Sequence, residues 1–521
     1  MQELIGSRVL LPAFERFADV MAVHDGEYHA TTSHHATRVL RLANAMRTEL
    51  GLQRSDRFAV MSANSHAFLE LYHAAFLGAG VINPLNLRLA GRELQTILAD
   101  SGSEVVFVDS FFAAHLLRAI SGVREDLALK KVVLIGGGDF PHDVAYEDLI
   151  ELGHPVVPTE PDEQDPVVLM YTGGTTGLPK GALLDHRAEL LNLYHVGMLV
   201  DMPPGRAYLH QTPMFHAASM AAVIGIPATG SASVILPFFE PGKMTDLVEE
   251  YQVDWTVMVP TMITMALGHK DFRPERLASL RDLVYGASPM PAALLTRVQE
   301  MLPHVRLWQG YGMTECSSIL TMLTPADHHA GGDHLRSAGR PPLGVTLTIQ
   351  DRGGNILPAG EQGEVCARGG NFMREYWNRP NETQKAFDGG WYHTGDMGML
   401  DSRGYLFLID RLKDMIVTGG ENVYSIEVEN AISTHPAVAE VAVIGIPHET
   451  WGEQVHAIVV LKPDAAATEE DIQEHARALI ARYKVPKSVE FRTESLPLSG
   501  ALKPLKRDLR APYWEGHETR I

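Results

Sequence analysis

Between residues 36 and 160 the chain alternates helical segments with short apolar runs, and this alternation restricts the fold more than any other feature. "ATRVLRLANAMRTEL" has apolar residues at helical spacing, "RFAVMS" reads as a strand, "AFLELYHAAFLGAG" as a helix ending in glycine, and "SEVVFVD" as a strand again. The rhythm predicts a doubly wound α/β sheet. A second cycle follows, with "DPVVLMYT", "SASVILP", "VDWTVMVP", "LRDLVYGAS" and "VRLWQGYG" as strands and "PAALLTRVQEML" as a helix. From about residue 335 to 410, "GVTLTIQD", "GEQGEVCARG" and "GYLFLID" are punctuated by Gly, Pro and Asp, which predicts a small antiparallel or barrel unit. Beyond "DRLKDMIVTGGEN", the helices "SIEVENAIS" and "EEDIQEHARALIARY" flank the strands "VAEVAVIGIP" and "HAIVVLKP", as expected of a separate small α+β domain. A length of 521 residues exceeds what one core supports, so more than one domain is expected.

Charge narrows the partners. With 44 basic and 64 acidic residues the formal charge is −20, which disfavours nucleic acid or an anionic membrane surface and favours a small substrate. The two cysteines, Cys316 and Cys366, form no CxxC pair, so neither a disulfide framework nor a cysteine-rich metal site is expected. "MQELIGSRVLLPAFERF" lacks a basic region ahead of an apolar core, and charges or Gly/Pro interrupt each later apolar run. A cytoplasmic protein with no transmembrane segment is expected.

The apolar run "VLMYTGGTTGLPKGA" breaks into glycine, threonine and one lysine. Glycines let backbone N–H groups approach a ligand closely, and hydroxyls with Lys180 add donors at a density that suits phosphate oxygens. It is not a Walker A loop, since Lys180 follows Pro179 instead of completing Gly-Lys-Ser/Thr, and it contains no GxGxxG. "QGYGMTE" (Gln309 to Glu315) ends a strand candidate with an aromatic, a hydroxyl and a carboxylate, parts suited to a base, a phosphate and Mg²⁺. "WYHTGDMG" sets Asp396 in a glycine turn, where a carboxylate accepts two ribose hydroxyls. "LIDRLKDMIVTGGENVYSIEVE" puts charges between apolar segments, as an exposed interdomain hinge does. "DHHAGGDH" (Asp327 to His334) lacks metal-ligand spacing and reads as a surface loop, and the absence of GxSxG disfavours a serine hydrolase.

These four segments, in this order and over nearly the whole chain, resemble the adenylate-forming superfamily of acyl- and aryl-CoA synthetases, peptide-synthetase adenylation domains and firefly-type luciferases. The resemblance implies an α/β fold in which a large N-terminal domain of two α/β subdomains and a distorted β-barrel (1–410) binds AMP, with a small mobile α+β lid (411–521). It also implies the reaction: a carboxylic acid and ATP, with Mg²⁺, give an acyl adenylate and pyrophosphate, and the acyl group then passes to coenzyme A.

By that similarity Thr172, Gly174, Thr175, Thr176, Gly177 and Lys180 form the phosphate loop, with Gly173 in place of the usual serine. Tyr311, Gly312, Met313, Thr314 and Glu315 lie beside adenine and the α-phosphate, with Thr314 and Glu315 catalytic and Glu315 the Mg²⁺ ligand. Gly286, Ala287 and Ser288 line the adenine and acyl pockets, Asp396 and Arg411 hold the ribose, and His216 gates the acyl pocket and thiol route. Lys503 is the catalytic lysine, although Ala501-Leu502 replaces the usual Ser/Thr-Gly before it, with Lys506 the fallback. Lys413 marks the hinge, and Gly419, Gly420 and Glu421 the pantetheine tunnel. His216-Ala217 stands where an amino-acid-activating domain has aspartate, which favours a free-standing CoA ligase acting in fatty-acid metabolism or on an aryl or alicyclic acid, alone or as a homodimer. The alternatives are transfer to a carrier protein and a non-catalytic nucleotide-binding relative. "FHAASMAAVIGIPATG" and "VPTMITMAL" are expected to line a roomy acyl pocket, and Trp255 to be core.

Overall fold

A computed structural model describes residues 3–172, 179–411, 414–418, 421–448, 450–500 and 504–515. Four sheets occur among them: two of eight strands, one of four and one of five.

The first large sheet has a parallel heart of Arg57–Met61, Val81–Pro84, Val105–Asp109 and Lys131–Ile135. Phe58, Val60, Val105 and Phe107 are buried on one face and Ala59, Met61, Val106 and Val108 on the other, so these strands are apolar on both faces, as in a sheet covered by helices. Pro166–Thr172 joins this sheet beside Val81–Pro84, with Ile82 opposite Val168, and not the second cycle that its place in the sequence suggests. Hydrogen bonding to a strand some eighty residues earlier decides the matter, and no local pattern encodes that choice.

The second large sheet is parallel through Ala207–His210, Ala232–Ile235, Trp255–Met258, Asp282–Gly286 and Arg306–Tyr311. Its far edge is the N-terminal hairpin Met21–Asp25 and Tyr28–Thr31, where Val23 stands opposite Ser233. Asp282 is wholly buried and receives Arg206, Arg306 and the Trp308 indole, so a charge buried there is paired and hydrogen-bonded. Trp255 is 2% exposed against Tyr208, as expected of core.

Residues expected to form a barrel unit make a four-stranded antiparallel sheet of Thr346–Gln350, Gly363–Arg368, Tyr392–Leu400 and Leu406–Arg411. The C-terminal sheet pairs Val438–His448 with Gly452–Leu461 and adds Ser488–Arg492 in parallel. Alternating residues sort to its two faces: Val443, Val455 and Val459 pack with Val428, Ile432 and Ile472 of the helices Ser425–Ser433 and Glu469–Leu479. Ala442, Ile444 and Ile458 pack with Leu509 of the helix Lys506–Trp514.

A second expectation fails. "DHHAGGDH" is not a surface loop throughout, because Pro325–Ala330 is helical and buries Asp327 and His328. Thr324 and Asp327 form a capping box with Pro325 at the first turn, and this start signal was hidden by the run of histidines. Asp327 then accepts the Tyr405 hydroxyl at 2.5 Å, and His328 meets the Tyr285 hydroxyl at 2.8 Å.

Candidate active site

The strand Pro166–Thr172 turns back antiparallel into Lys180–Asp185, with Thr172 opposite Lys180. The two arms therefore hold the ends of the glycine-threonine loop side by side, although Gly174, Thr175, Thr176 and Gly177 themselves lie outside the described residues. Lys180 is ion-paired with Glu382 and its ammonium lies 5.3 Å from the centre of the Tyr376 ring.

Gly286 and Gly310 are directly opposed at the C-terminal ends of Asp282–Gly286 and Arg306–Tyr311. A Cβ on Gly286 would sit 2.1 Å from the Gly310 carbonyl, so only glycine permits that approach. Ala287 follows in a left-handed conformation, φ +65°, of the kind that clusters at functional sites, and Ser288 is half-buried beside it. Beyond Tyr311 the chain enters a tight turn in which a Cβ on Gly312 would be 1.9 Å from the Ser318 carbonyl. Met313 precedes the short 3₁₀ helix Thr314–Cys316, which buries Thr314 and leaves the Glu315 side chain at its surface.

A segment unremarked in the sequence ties these parts together. Asn371 donates to the carbonyls of Cys316 (3.0 Å) and Ile319 (3.1 Å), and the Met373 N–H to that of Glu315 (2.7 Å). Two residues later Glu375–Tyr376 pairs with Lys180–Asp185, Tyr376 opposite Ala182. One short stretch thus binds the turn after Tyr311 in one sheet to the strand Lys180–Asp185 of the other. Tyr376 completes the connection by donating its hydroxyl to Glu315 Oε1 at 2.9 Å. Tyr376 and Glu382 were missed because "NFMREYWNRPNETQKAF" has neither strand nor helix periodicity to draw attention to them.

Asp396 is 8% exposed and accepts the Tyr311 hydroxyl at 2.6 Å. Burial and this carboxylate push the Tyr311 phenol well above its ordinary value, as burial and Glu315 do for Tyr376, so both hydroxyls remain donors. Burial raises the Cys316 thiol to about 12, which leaves it protonated and unsuited to accept an acyl group. Arg411 is opposite Asp396 in the ladder, though its side chain is outside the described residues.

His216 precedes a 3₁₀ turn and its Nδ1 accepts from the Ala218 N–H at 3.4 Å. The backbone leading to it is fixed from the other sheet's side: Asn64 accepts from the Met214 N–H at 2.7 Å and Tyr72 donates to the Met214 carbonyl at 2.7 Å. Of the residues expected to line an acyl pocket, Met262 is fully buried in the core of the second sheet and Met265 is 44% exposed, so the methionines are divided between core and surface.

In the small domain Lys413, Gly419, Gly420 and Lys503 lie outside the described residues, and only the backbone of Glu421 is described, opposite Thr418. Lys506 is ion-paired with Glu429 at 2.6 Å and donates to Ser425 at 2.7 Å. Leu498 and Gly500 reach the large domain: Arg88 donates to the Leu498 carbonyl at 2.7 Å, and Gly500 lies so close to Asn86 that a Cβ would be 2.4 Å from its side chain. Asn86 follows Val81–Pro84, which is parallel to Pro166–Thr172, so Gly500 stands at the end of the sheet where Pro166–Thr172 leaves it.

The family profile of AMP-binding enzymes matches residues 12–377, and that of the AMP-binding enzyme C-terminal domain matches 427–503. The chain is 36% identical over 493 residues to a feruloyl-CoA synthase of an Amycolatopsis species, covering 94% of this chain and 96% of the relative. It is 35% identical over 474 residues to a long-chain-fatty-acid–CoA ligase of Mycobacterium tuberculosis, covering 89% and 90%. Its fold matches a solved anthranilate CoA ligase in complex with anthranoyl-AMP with a TM-score of 0.88, at 26% identity and over 98% and 97% of the two chains.

Proposed function

The chain belongs to the AMP-binding enzyme family, in its acyl-CoA synthetase branch, and on that premise we propose a role for each part of the site. The enzyme is an AMP-forming acid–thiol ligase: it joins a carboxylic acid to AMP from ATP, releases pyrophosphate, and transfers the acyl group to coenzyme A. A carboxylate is a poor electrophile at neutral pH, and its attack on the α-phosphate brings two anions together. Catalysis therefore rests on positioning and on cations and donors around phosphorus.

We assign the triphosphate to the loop between Thr172 and Lys180, with Lys180 as its cation. Adenine and ribose then lie between Gly286–Ser288 and Tyr311–Thr314, with Asp396 accepting the ribose hydroxyls and Arg411 beside it. Glu315 suits Mg²⁺, a hard cation that takes carboxylate oxygens: Oε1 accepts the Tyr376 hydroxyl, and among the described residues Oε2 makes no hydrogen bond. His216 is assigned to the acyl side, on a segment held by Asn64 and Tyr72.

Lys503 is the lysine we assign to the α-phosphate. Gly500, three residues before it, abuts Asn86 at the phosphate end of the sheet, while the fallback Lys506 is engaged by Glu429 and Ser425 within the small domain. The expected 410/411 boundary falls inside Leu406–Arg411, a strand of the four-stranded sheet, and Ile416–Thr418 belongs to the five-stranded one, so we put the change of domain just after Arg411. After adenylation the small domain turns about Lys413 and presents Gly419, Gly420 and Glu421 to the pantetheine arm, so that one site serves two steps.

The observation that carries this reading is the convergence of Lys180, Glu315 and Tyr376 with Tyr311 and Asp396 where the two sheets meet. Relatives acting on feruloyl and long-chain acyl groups support a bulky acid, aryl or fatty, as substrate. The test is AMP release with ATP and Mg²⁺ across short, long, aromatic and alicyclic acids, each with and without CoA. AMP that depends on both a bulky acid and CoA is expected; release that ignores CoA would move the acceptor to another thiol or to water.

A further inference from the structure

The strands Gly363–Arg368 and Tyr392–Leu400 pair irregularly. Glu364 is opposite Met397 and Cys366 opposite His393, so Val365 alone faces Thr394, Gly395 and Asp396. The surplus residues leave the ladder as a bulge, a device that re-aims a side chain, and the residue re-aimed here is Asp396. Gly395 sits at φ +71°, which a side chain would strain.

A bulge of this size loses regular ladder bonds, and side chains replace them. The Thr394 hydroxyl donates to the Val365 carbonyl at 2.7 Å and accepts from the Asp396 N–H at 3.1 Å. Across its neck reaches Glu364: Oε1 accepts from the Gly395 N–H at 3.0 Å, and Oε2 lies 2.9 Å from His393 Nδ1. The His393 ring is also 3.3 Å, through Nε2, from the Asp388 carbonyl and 3.5 Å from Cys366 Sγ. Carboxylate, thiol and imidazole atoms lie within 4.8 Å of one another, a grouping met in metal sites, but here the carboxylate and the imidazole are already engaged in holding the bulge.

We propose that Glu364 is a positioning residue for nucleotide selection: by stapling His393 to Gly395 it fixes the bulge that presents Asp396, and so sets how strongly the enzyme prefers a ribonucleotide over one lacking the ribose hydroxyls. Glu364 touches no nucleotide in this scheme and acts through the Gly395 backbone. The inference rests on the assignment of Asp396 to the ribose.

The test compares acid-dependent pyrophosphate exchange with ATP and with 2′,3′-dideoxy-ATP in the full chain, for the parent and for Asp396→Ala, Glu364→Ala, Glu364→Gln and Glu364→Asp. Asp396→Ala should bring the ratio of the two kcat/KM values close to one. Glu364→Ala should lower that ratio about tenfold, through KM for ATP, with dideoxy-ATP turnover nearly unchanged. Glu364→Gln, which keeps an acceptor for Gly395, should restore much of it, and Glu364→Asp, one methylene shorter, should not. Equal loss with both nucleotides, or an undiminished ratio in Glu364→Ala, would overturn the inference while leaving Asp396 in place. If Glu364→Ala does not fold, an undiminished ratio in Glu364→Asp does the same. A full preference for ATP in Asp396→Ala would instead remove the ribose assignment and the inference with it.

Discussion

Lys180 and Glu382 form an ion pair beside the glycine-threonine loop, so the lysine proposed to hold the triphosphate also has a protein carboxylate competing for it. Both side chains are partly exposed, and solvent screening keeps such a pair weak, at about 0 to 1 kcal/mol. Glu382→Gln should therefore lower KM for ATP roughly two- to fivefold by removing the competitor, with kcat little changed. Pyrophosphate-exchange kinetics measure this, and a raised KM would show that Glu382 orients Lys180 and does not merely occupy it.

Tyr311→Phe removes the hydroxyl that Asp396 accepts at 2.6 Å and leaves the buried carboxylate short of a partner. A hydrogen bond to a charged group is worth about 1.5 to 3 kcal/mol, so ATP affinity should fall about tenfold or more. Affinity for the carboxylic acid should stay as it is. Titration calorimetry with each ligand separates the two, and equal weakening of both would place Tyr311 in general packing instead.

Lys503→Ala should abolish adenylate formation and spare CoA transfer from a preformed acyl adenylate, whereas Lys506→Ala should keep both half-reactions. The latter loses the contacts to Glu429 and Ser425 and should instead lower the melting temperature by several degrees. Equal loss of both half-reactions in Lys503→Ala, or loss of adenylation in Lys506→Ala, would reverse the assignment.

Stability should fall in mild acid. Burial holds His35, His73 and His210 down to about 3 and His186 to about 4, against 6.5 when exposed. Below pH 6.5 the unfolded chain takes up protons that the folded chain refuses, and stability drops as pH falls toward those values, by about 1 kcal/mol per group at pH 5.5. Glu189, raised to about 8 by burial, works the other way over the same window. The urea midpoint should thus be lower at pH 5.5 than at pH 7.5, and Glu189→Gln should widen the gap. A midpoint that rises on acidification would contradict the histidine account.

The sequence announced what is local and concealed what is paired at a distance. The loop between Thr172 and Lys180 and the turn from Tyr311 to Glu315 were legible because glycine, hydroxyl and charge cluster where strands end. The sheet to which Pro166–Thr172 belongs was not, since Val168 opposite Ile82 is a choice of partner that neither segment specifies alone. Asp396 was found as a carboxylate in a glycine turn, but its bulge depends on Glu364, some thirty residues earlier, in a strand that reads as regular. Tyr376 and Glu382 lay in a stretch without period, and only the pairing with Lys180–Asp185 gives them a purpose.

The N-terminal hairpin has a consequence for how the molecule is made. Val23 pairs with Ser233, so this hairpin, once synthesised, waits for a partner some two hundred residues later. At about 5 to 20 residues per second that wait lasts roughly 10 to 40 seconds, during which the first large sheet is free to form around Phe58 and Phe107 while the hairpin remains an open edge. A chain interrupted before Ala232–Ile235 carries that edge permanently, and an unpaired edge strand is a template for association with other chains. The enzyme's order of synthesis and its order of assembly therefore differ, and this hairpin finds its place only after the first large sheet can form.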